Sequence, residues 1–246
     1  MQFLILSDIH ANWYALEAVL KSAGEGFDQI ICCGDLVGYN PHPAQVVEWT
    51  RDHCNTVIRG NHDKVVAGIE QLEWFNPVAQ AAARWTRDHM DEADLQYLHE
   101  LQPGPLKLEH FHIWHGAPFD EDEYIIRPRE AAACFVAFEL PLAFFGHTHL
   151  QGGFYFRRQR VVTIAQVPRD FDDAVLQLEP DTQYLVNPGS VGQPRDGDAR
   201  AAYAIYDSEQ RTVEFRRVAY PVEKTAEELR AAGLPDALAA RLFKGV

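Results

Sequence analysis

Five short apolar runs in this chain each end in a cluster of acidic, histidine or asparagine residues, and that recurrence constrains the fold more than any other feature. Residues 3–6 lead into Ser7-Asp8-Ile9-His10, 30–33 into Gly34-Asp35 and 56–58 into Arg59-Gly60-Asn61-His62-Asp63. A further apolar stretch ends at His115-Gly116, and residues 142–145 lead into Gly146-His147-Thr148-His149. Runs this short have the length of buried strands rather than helices. Amphipathic stretches at 13–22 and 44–53 separate the first three runs, which makes residues 1–66 a βαβαβ pattern. In an open parallel sheet the carboxyl ends of the strands share one edge, so the polar clusters are expected to gather there.

Helices are expected at 76–89, where Asn76-Pro77 supplies a start signal, and at 94–101, before the Pro103-Gly104-Pro105 breaker. Strand-like segments then dominate, at 106–115, 142–145, 153–156, 161–165, 184–186, 202–206 and 213–218. A helix at 128–138 interrupts them, and helices at 226–232 and 236–243 close the chain. The second half is therefore expected to supply a second sheet. No internal repeat, low-complexity tract or linker is evident, and 246 residues with 47% hydrophobic content suit one large domain, 1–246.

Composition narrows the function. With 22 basic against 36 acidic side chains the formal charge is -14, which repels polyanions and disfavours nucleic acid as a partner. Carboxylates beside bound divalent cations would reduce that charge, so a small phosphorylated substrate stays compatible with it. The N-terminus MQFLILSDIH lacks a basic segment and turns polar after a few residues. Neither a signal peptide nor a membrane span is expected, and the cytoplasm is the expected compartment. Cys32, Cys33, Cys54 and Cys134 lack the paired spacing of a zinc ribbon or disulfide framework and read as small buried residues.

The polar clusters have the chemistry of a metal site. Asp8 and His10 stand two apart, and an extended chain would point both at one face, where they can grip one ion. His147 and His149 repeat that spacing, with Gly146 letting the backbone turn close to a bound group. His115 ends a strand on which Phe111 and Ile113 share its face. Asp35 offers a carboxylate able to bridge two cations, and Asn61 a neutral carbonyl oxygen. Seven oxygen and nitrogen donors without a thiolate suit manganese, iron, zinc, nickel or cobalt and exceed the needs of one tetrahedral ion, so two divalent transition-metal ions are implied. Two metals roughly 3.5–4 Å apart turn a bridging water into a hydroxide nucleophile and clamp phosphoryl oxygens for in-line displacement.

In their order, D-x-H, G-D, G-N-H-D, a strand-end H and G-H-x-H, these motifs give the chain a resemblance to the calcineurin-like metallophosphoesterase superfamily that covers nearly its whole length. The resemblance implies an α/β fold of the α+β type, a four-layer α/β/β/α sandwich with two central mixed sheets, helices outside and the site at the sheet edges. It implies Asp8, His10 and His149 as ligands of one metal, Asn61, His115 and His147 as ligands of the other, and Asp35 as the bridge. It makes His62 the residue that hydrogen-bonds the phosphate and protonates the leaving oxygen, with Asp63 as its orienting partner. An imidazole next to a metal ligand suits that role, because it lies within reach of the leaving group.

After Asp35 the chain continues Leu36-Val37-Gly38-Tyr39-Asn40-Pro41, without the D-R-G continuation of the eukaryotic-type Ser/Thr phosphatases and the bacterial dinucleoside tetraphosphatases. Asn12 and the segment NPGSVGQPRDGD at 187–198 look like the small bacterial single-domain metallophosphoesterases instead. That segment reads either as a tight loop that needs glycine dihedrals or as one that brings Arg195 to the metals, where a guanidinium pairs with substrate phosphate. Tyr39 is a second candidate for lining the pocket. The expected activity is hydrolysis of a small phosphodiester or phosphomonoester, and no sequence feature specifies an oligomeric state. The alternatives are a protein phosphatase or dinucleoside polyphosphate hydrolase, against which the missing D-R-G counts, and a non-catalytic protein-binding scaffold, against which His62 and the complete ligand set count. His42, His53, His89, His99, His110 and His112 read as structural, and the acidic run 120–123 as solvated surface.

Overall fold

In the computed structural model, which describes residues 1–137 and 139–246, strand β1 (Gln2–Leu6) divides two cores. Successive side chains of a strand point to opposite faces. Phe3 and Ile5 therefore pack on one side with Phe111, Phe144, Val186 and Phe215, while Leu4 and Leu6 pack on the other with Leu16, Val19, Val46 and Val47. The latter four come from α1 (Trp13–Ala23) and α2 (Pro43–His53), which cover the outer face of the first sheet. Asn12 starts α1 by accepting the Ala15 N–H at 3.3 Å, and Pro43 occupies the first turn of α2.

The first sheet takes β1, β2 (Gln29–Cys32) and β3 (Thr56–Val57) from the start of the chain. A short helix α3 (Asn61–Val66), a 3-10 turn (Leu72–Trp74), α4 (Pro77–Asp88) and α5 (Glu92–Glu100) follow. The second sheet contains β4 (Leu106–Lys107) and β5 (His112–Trp114), then, after α6 (Pro128–Cys134), β6 (Leu142–Phe145), β7 (Gly152–Arg157) and β8 (Arg160–Ile164). The chain continues through β9 (Asp173–Gln177), β10 (Gln183–Asn187), β11 (Ala201–Asp207), β12 (Thr212–Val218), α7 (Val222–Ala231) and α8 (Asp236–Lys244). Among the described residues the sheets have six strands each, ordered β3-β2-β1-β11-β12-β9 and β4-β5-β6-β10-β7-β8. Both contain parallel and antiparallel pairs, and helices flank them, which is the expected four-layer sandwich.

Between the sheets, Phe111 stands edge-on to Phe3 and to Phe144, each pair with ring centroids 5.1 Å apart and planes at 88°. A fully buried phenylalanine of this kind is worth about 3–5 kcal/mol against alanine. Trp114, Phe145, Phe154 and Leu185 form the outer core of the second sheet, closed by Ala131 and Cys134 of α6. A fourth core packs Ala79 and Ala82 of α4 against Ala226 and Leu229 of α7 and Leu238 and Leu242 of α8, and it contains Tyr39.

Three expectations about elements need correction, and two elements were not expected. The second half does not supply one sheet alone: β11 inserts beside β1 in antiparallel register, with Phe3 opposite Tyr206, and carries β12 and β9 into the first sheet. The segment 106–115 is a hairpin of β4 and β5 rather than one strand, because the chain reverses where the Leu108 N–H donates to the Phe111 carbonyl at 2.9 Å. Strand β9, whose apolar run Ala174-Val175-Leu176 is short and half-exposed, and the short α3 were not expected. Helix α6 ends at Cys134, and the last residue expected in it, Phe138, lies outside the described residues. No helix among the described residues is long and apolar enough to cross a membrane.

Strands β1, β2 and β3 run parallel, as do β5, β6 and β10. Their carboxyl ends meet across the two sheets. The His115 ring reaches the Cys33 carbonyl at 2.8 Å, and the His147 N–H donates to the Asp8 carboxylate at 3.1 Å.

Candidate metal centre

Asp8, His10, Asp35, His147 and His149 all have left-handed backbones, with φ of 53, 48, 57, 64 and 59°. Non-glycine residues avoid that region at roughly 1–2 kcal/mol each, so surrounding contacts must hold them there. The side chains of Asp8 and His10, and of His147 and His149, therefore converge through tight turns beyond the strand ends rather than along an extended pleat, as their two-residue spacing had suggested. The contacts that hold these turns are specific. His10 N–H donates to the Asp35 carbonyl at 3.0 Å, Asn40 Nδ2 to the His10 carbonyl at 2.9 Å, and Ser190 Oγ to the Asp8 carbonyl at 2.8 Å. Asn187 Nδ2 donates to the Gly146 carbonyl at 2.8 Å. Gly60 has to be glycine because a Cβ there would lie 2.1 Å from Asp35 Oδ1.

Backbone carbonyls turn three of the imidazoles. Nδ1 of His10 faces the Val37 carbonyl at 2.9 Å, that of His149 the Gln193 carbonyl at 2.5 Å, and that of His115 the Cys33 carbonyl at 2.8 Å. A carbonyl only accepts, so each Nδ1 bears a proton, and in the neutral ring Nε2 is the nitrogen left to ligate. His10 Nε2 and His149 Nε2 are 3.1 Å apart, a separation at which two lone pairs repel unless a cation lies between them. His149 Nε2 is 3.3 Å from Asp8 Oδ1, while Asp35 Oδ2 is 3.5 Å from His10 Nε2 and 3.3 Å from His115 Nε2. His147 is turned the other way: its Nε2 faces the Asp122 carbonyl at 3.0 Å, which leaves Nδ1 at 3.0 Å from Asn61 Oδ1. Asn61 Oδ1 is in turn 3.2 Å from His115 Nε2.

Two groups of donor atoms result, each within 4.8 Å: Asp8, His10, Asp35 and His149 in one, Asp35, His115 and His147 in the other. Asp35 belongs to both. Nitrogen lone pairs aimed at carboxylate oxygens in a buried space are what a divalent transition ion requires, so the residues fit metal binding. The protonation equilibria agree. Burial pushes His10 and His149 well below the usual imidazole range and His147 to about 3, leaving neutral ligands. Burial likewise raises Asp8 to about 7. Burial opposes charge on His115 too, but Asp35 and Asp8 lift that ring to about 10, and His115 in return keeps Asp35 well below the usual carboxylate range despite its burial. The proton on His115 does for these carboxylates what a cation among them would do.

A cavity of about 490 Å³ opens over the cluster, lined among others by Asp35, Asn61, His62, Tyr39, His147 and Arg195. His62 lies between the rings of Tyr39 and Phe75, with centroids at 4.4 and 4.5 Å, and its backbone N–H donates to Asp35 Oδ1 at 2.8 Å. Burial lowers this imidazole to about 4. Asp63 is not its partner. The Asp63 carboxylate accepts from the N–H groups of Asp35, Leu36, Val37 and Gly60 at 2.8, 2.9, 3.2 and 2.9 Å, so it shapes the Asp35 loop and caps α3. His62 Nδ1 has no hydrogen-bond partner among the described residues and rests against Gly38, where a Cβ would come within 2.5 Å of it. Arg195 donates to the Tyr39 hydroxyl at 3.1 Å, and both readings of the 187–198 segment apply to it: Gly189 and Gly197 have φ of 83 and 79°, and Arg195 lines the cavity.

Lining residues that escaped the sequence include Tyr124, Lys64, Trp74 and Phe75. Tyr124 stacks on His147 with centroids 4.0 Å apart and hydrogen-bonds Arg195. Lys64, buried, pairs with Asp122 at 2.5 Å and Glu121 at 3.3 Å, and Arg59 grips Glu121 with two bonds of 3.1 and 3.0 Å. Glu121 and Asp122 of the acidic run 120–123 thus form a strap tethered beside the site, while Asp120 and Glu123 are solvated surface as expected. Trp74 lines the mouth. The Lys64–Asp122 pair alone could have been suspected from sequence, as a lone lysine beside G-N-H-D with acidic residues elsewhere to meet it.

Residues 1–211 match the profile of the calcineurin-like phosphoesterase superfamily domain. The chain is 34% identical to an uncharacterized protein of Methanocaldococcus jannaschii, over 98% of this chain and 97% of that protein. The crystal structure of a metallophosphoesterase from Sphaerobacter thermophilus is similar at 42% identity and a TM-score of 0.86, covering 100% of this chain and 99% of that one. A hypothetical protein from Pyrococcus horikoshii OT3 shares the fold, with 20% identity, a TM-score of 0.78 and coverage of 100% and 98%.

Proposed function

The chain belongs to the calcineurin-like phosphoesterase superfamily, and from that premise we propose that it hydrolyses a small phosphodiester or phosphomonoester with two divalent transition-metal ions. The observation that carries the proposal is the position of Asp35 Oδ2, 3.5 Å from His10 Nε2 and 3.3 Å from His115 Nε2, between two donor groups that share no other residue. Asp8, His10 and His149 would hold one ion and Asn61, His115 and His147 the other, with Asp35 between. When bound, such a pair supplies an activated water and neutralises phosphoryl charge.

The chain's own groups do the rest. Arg195, kept charged beside Tyr39 and Tyr124, offers a planar fork to the phosphate oxygens. His62 is neutral in the free site, because burial holds it near 4. An anionic phosphoester drawn in by Arg195 favours the charged ring, so substrate binding itself raises the proton affinity of His62. With Nδ1 packed on Gly38, Nε2 is the nitrogen left to face the substrate and to pass a proton to the departing oxygen. Tyr39, Phe75 and Gly38 fix the ring by packing, the part that Asp63 was expected to play.

The test is a matrix of metals and substrates. Protein stripped of metal and reloaded with manganese, nickel, cobalt, iron or zinc should hydrolyse aryl mono- or diesters or nucleotides with at least one ion. Full metal uptake without hydrolysis of any of them would contradict the proposal.

A further inference from the structure

The mouth of the cavity carries an aromatic surface that the chemistry of phosphate and metals does not use. In the turn Leu72–Trp74, Leu72 packs against the helical core and Phe75, the residue that ends it, packs against both that core and the core of α4, α7 and α8. Residues three apart eclipse each other in a 3-10 turn, so anchoring Leu72 and Phe75 on one side directs Trp74 to the other. Trp74 is accordingly 79% exposed, although it lines the cavity. Its neighbour Phe75 lies against His62 with the ring planes tilted by 37°, so the indole stands one residue beyond the ring that packs on the proposed acid. Val65 and Ala79 extend this apolar wall, and Arg195 lines the same cavity with a cation, whereas Lys64 there is already paired with Glu121 and Asp122.

From this arrangement, and resting on the phosphoesterase reading, we propose that the substrate is a phosphoester whose organic part carries a flat aromatic ring, and that Trp74 selects it by stacking. An indole held in water loses apolar hydration when a ring covers it, and two rigid rings lose little freedom on stacking. Base-aromatic stacking is worth roughly 5- to 100-fold in affinity, whatever the identity of the base. The ring can belong to a nucleobase or to a simple aryl group.

A matched pair isolates the effect, because adenosine 5′-phosphate and ribose 5-phosphate depart through the same alkyl oxygen and differ in whether the anomeric carbon carries a base or a hydroxyl. The methyl diesters of both make the comparison for a diesterase, and benzyl against cyclohexylmethyl esters, which both depart through a primary alkyl oxygen, report on a simple aryl ring. In metal-loaded protein the base-bearing member is expected to have the higher kcat/KM by roughly 5- to 100-fold, mainly through KM. Trp74→Ala should remove most of that preference while leaving the ribose ester within about twofold, and Trp74→Phe should restore part of it. A preference confined to the aryl arm would assign the wall to simple aryl groups. Equal rates for ring-bearing and ring-free esters, or a preference that survives Trp74→Ala, would overturn the inference and leave the phosphoesterase reading standing. Hydrolysis of no ester with any metal would overturn both.

Discussion

The floor and the rim of the cavity are built on opposite principles. On the floor, Asp8, His10, Asp35, His115 and His149 are almost fully buried, five proposed ligands sit in left-handed turns, and backbone carbonyls set each ring. At the rim, Tyr124 and Trp74 are exposed, and the strap of Glu121 and Asp122 is held by ion pairs from Lys64 and Arg59. In the proposed function the floor would supply a charge geometry that any phosphoester can use, and the rim, on a 3-10 turn and a loop, would choose which one enters. Rigidity is concentrated where positions must be accurate, and exposed side chains where contacts must be selective.

The difference can be broken most sharply at its shared point. Asp35→Asn should lower turnover by roughly 10⁴-fold, on the scale of losing a central catalytic group, because a neutral amide bridges two cations poorly. Bound metal, measured by elemental analysis, should fall below two per chain. Two retained ions with a near-normal rate would remove Asp35 from the bridge.

His62 lies where floor meets rim, and His62→Ala should leave both metals in place while turnover falls by roughly 10²–10³-fold. An alkyl leaving oxygen needs the proton and should lose more than a phenolate. Equal losses for both esters would assign His62 to phosphate binding alone, and loss of a metal would make it a ligand.

The rim tether should matter least. Lys64→Met removes one partner of Asp122, whose carbonyl sets the tautomer of His147. It should weaken metal affinity on the His147 side about tenfold, at the low end for a residue behind a ligand. Because Asp122 is half-exposed and Glu121 keeps Arg59, the change in folding stability should stay at about 1 kcal/mol. A metal titration compared with a thermal melt separates the two effects; unchanged metal affinity would mean that the strap does not govern His147.

Much of the floor was legible because its residue types are rare in combination and each follows an apolar strand, so Asp8, Asp35, Asn61, His115, His147 and His149 announce themselves. What turns them was not legible. The carbonyls of Val37, Cys33, Gln193 and Asp122 carry no residue identity, and the left-handed turn at Asp8, between Ser7 and Ile9, has no adjacent glycine to betray it. Asp63 misled by adjacency: residues one apart on a helix do not face each other, and its carboxylate turns to the Asp35 loop while the His62 ring enters the cavity. Tyr124, Lys64 and Trp74 meet only through the tertiary fold. The insertion of β11 beside β1 likewise pairs residues about two hundred positions apart, beyond the reach of any local pattern.

The shared carboxylate is tested most directly by adding manganese or a neighbouring transition ion in measured equivalents to metal-stripped protein while following both bound metal and phosphoester turnover. The proposed mechanism predicts no turnover before addition and a rate that rises until two ions are bound per chain. Turnover that persists undiminished after exhaustive chelation, with elemental analysis showing the metal gone, would contradict it.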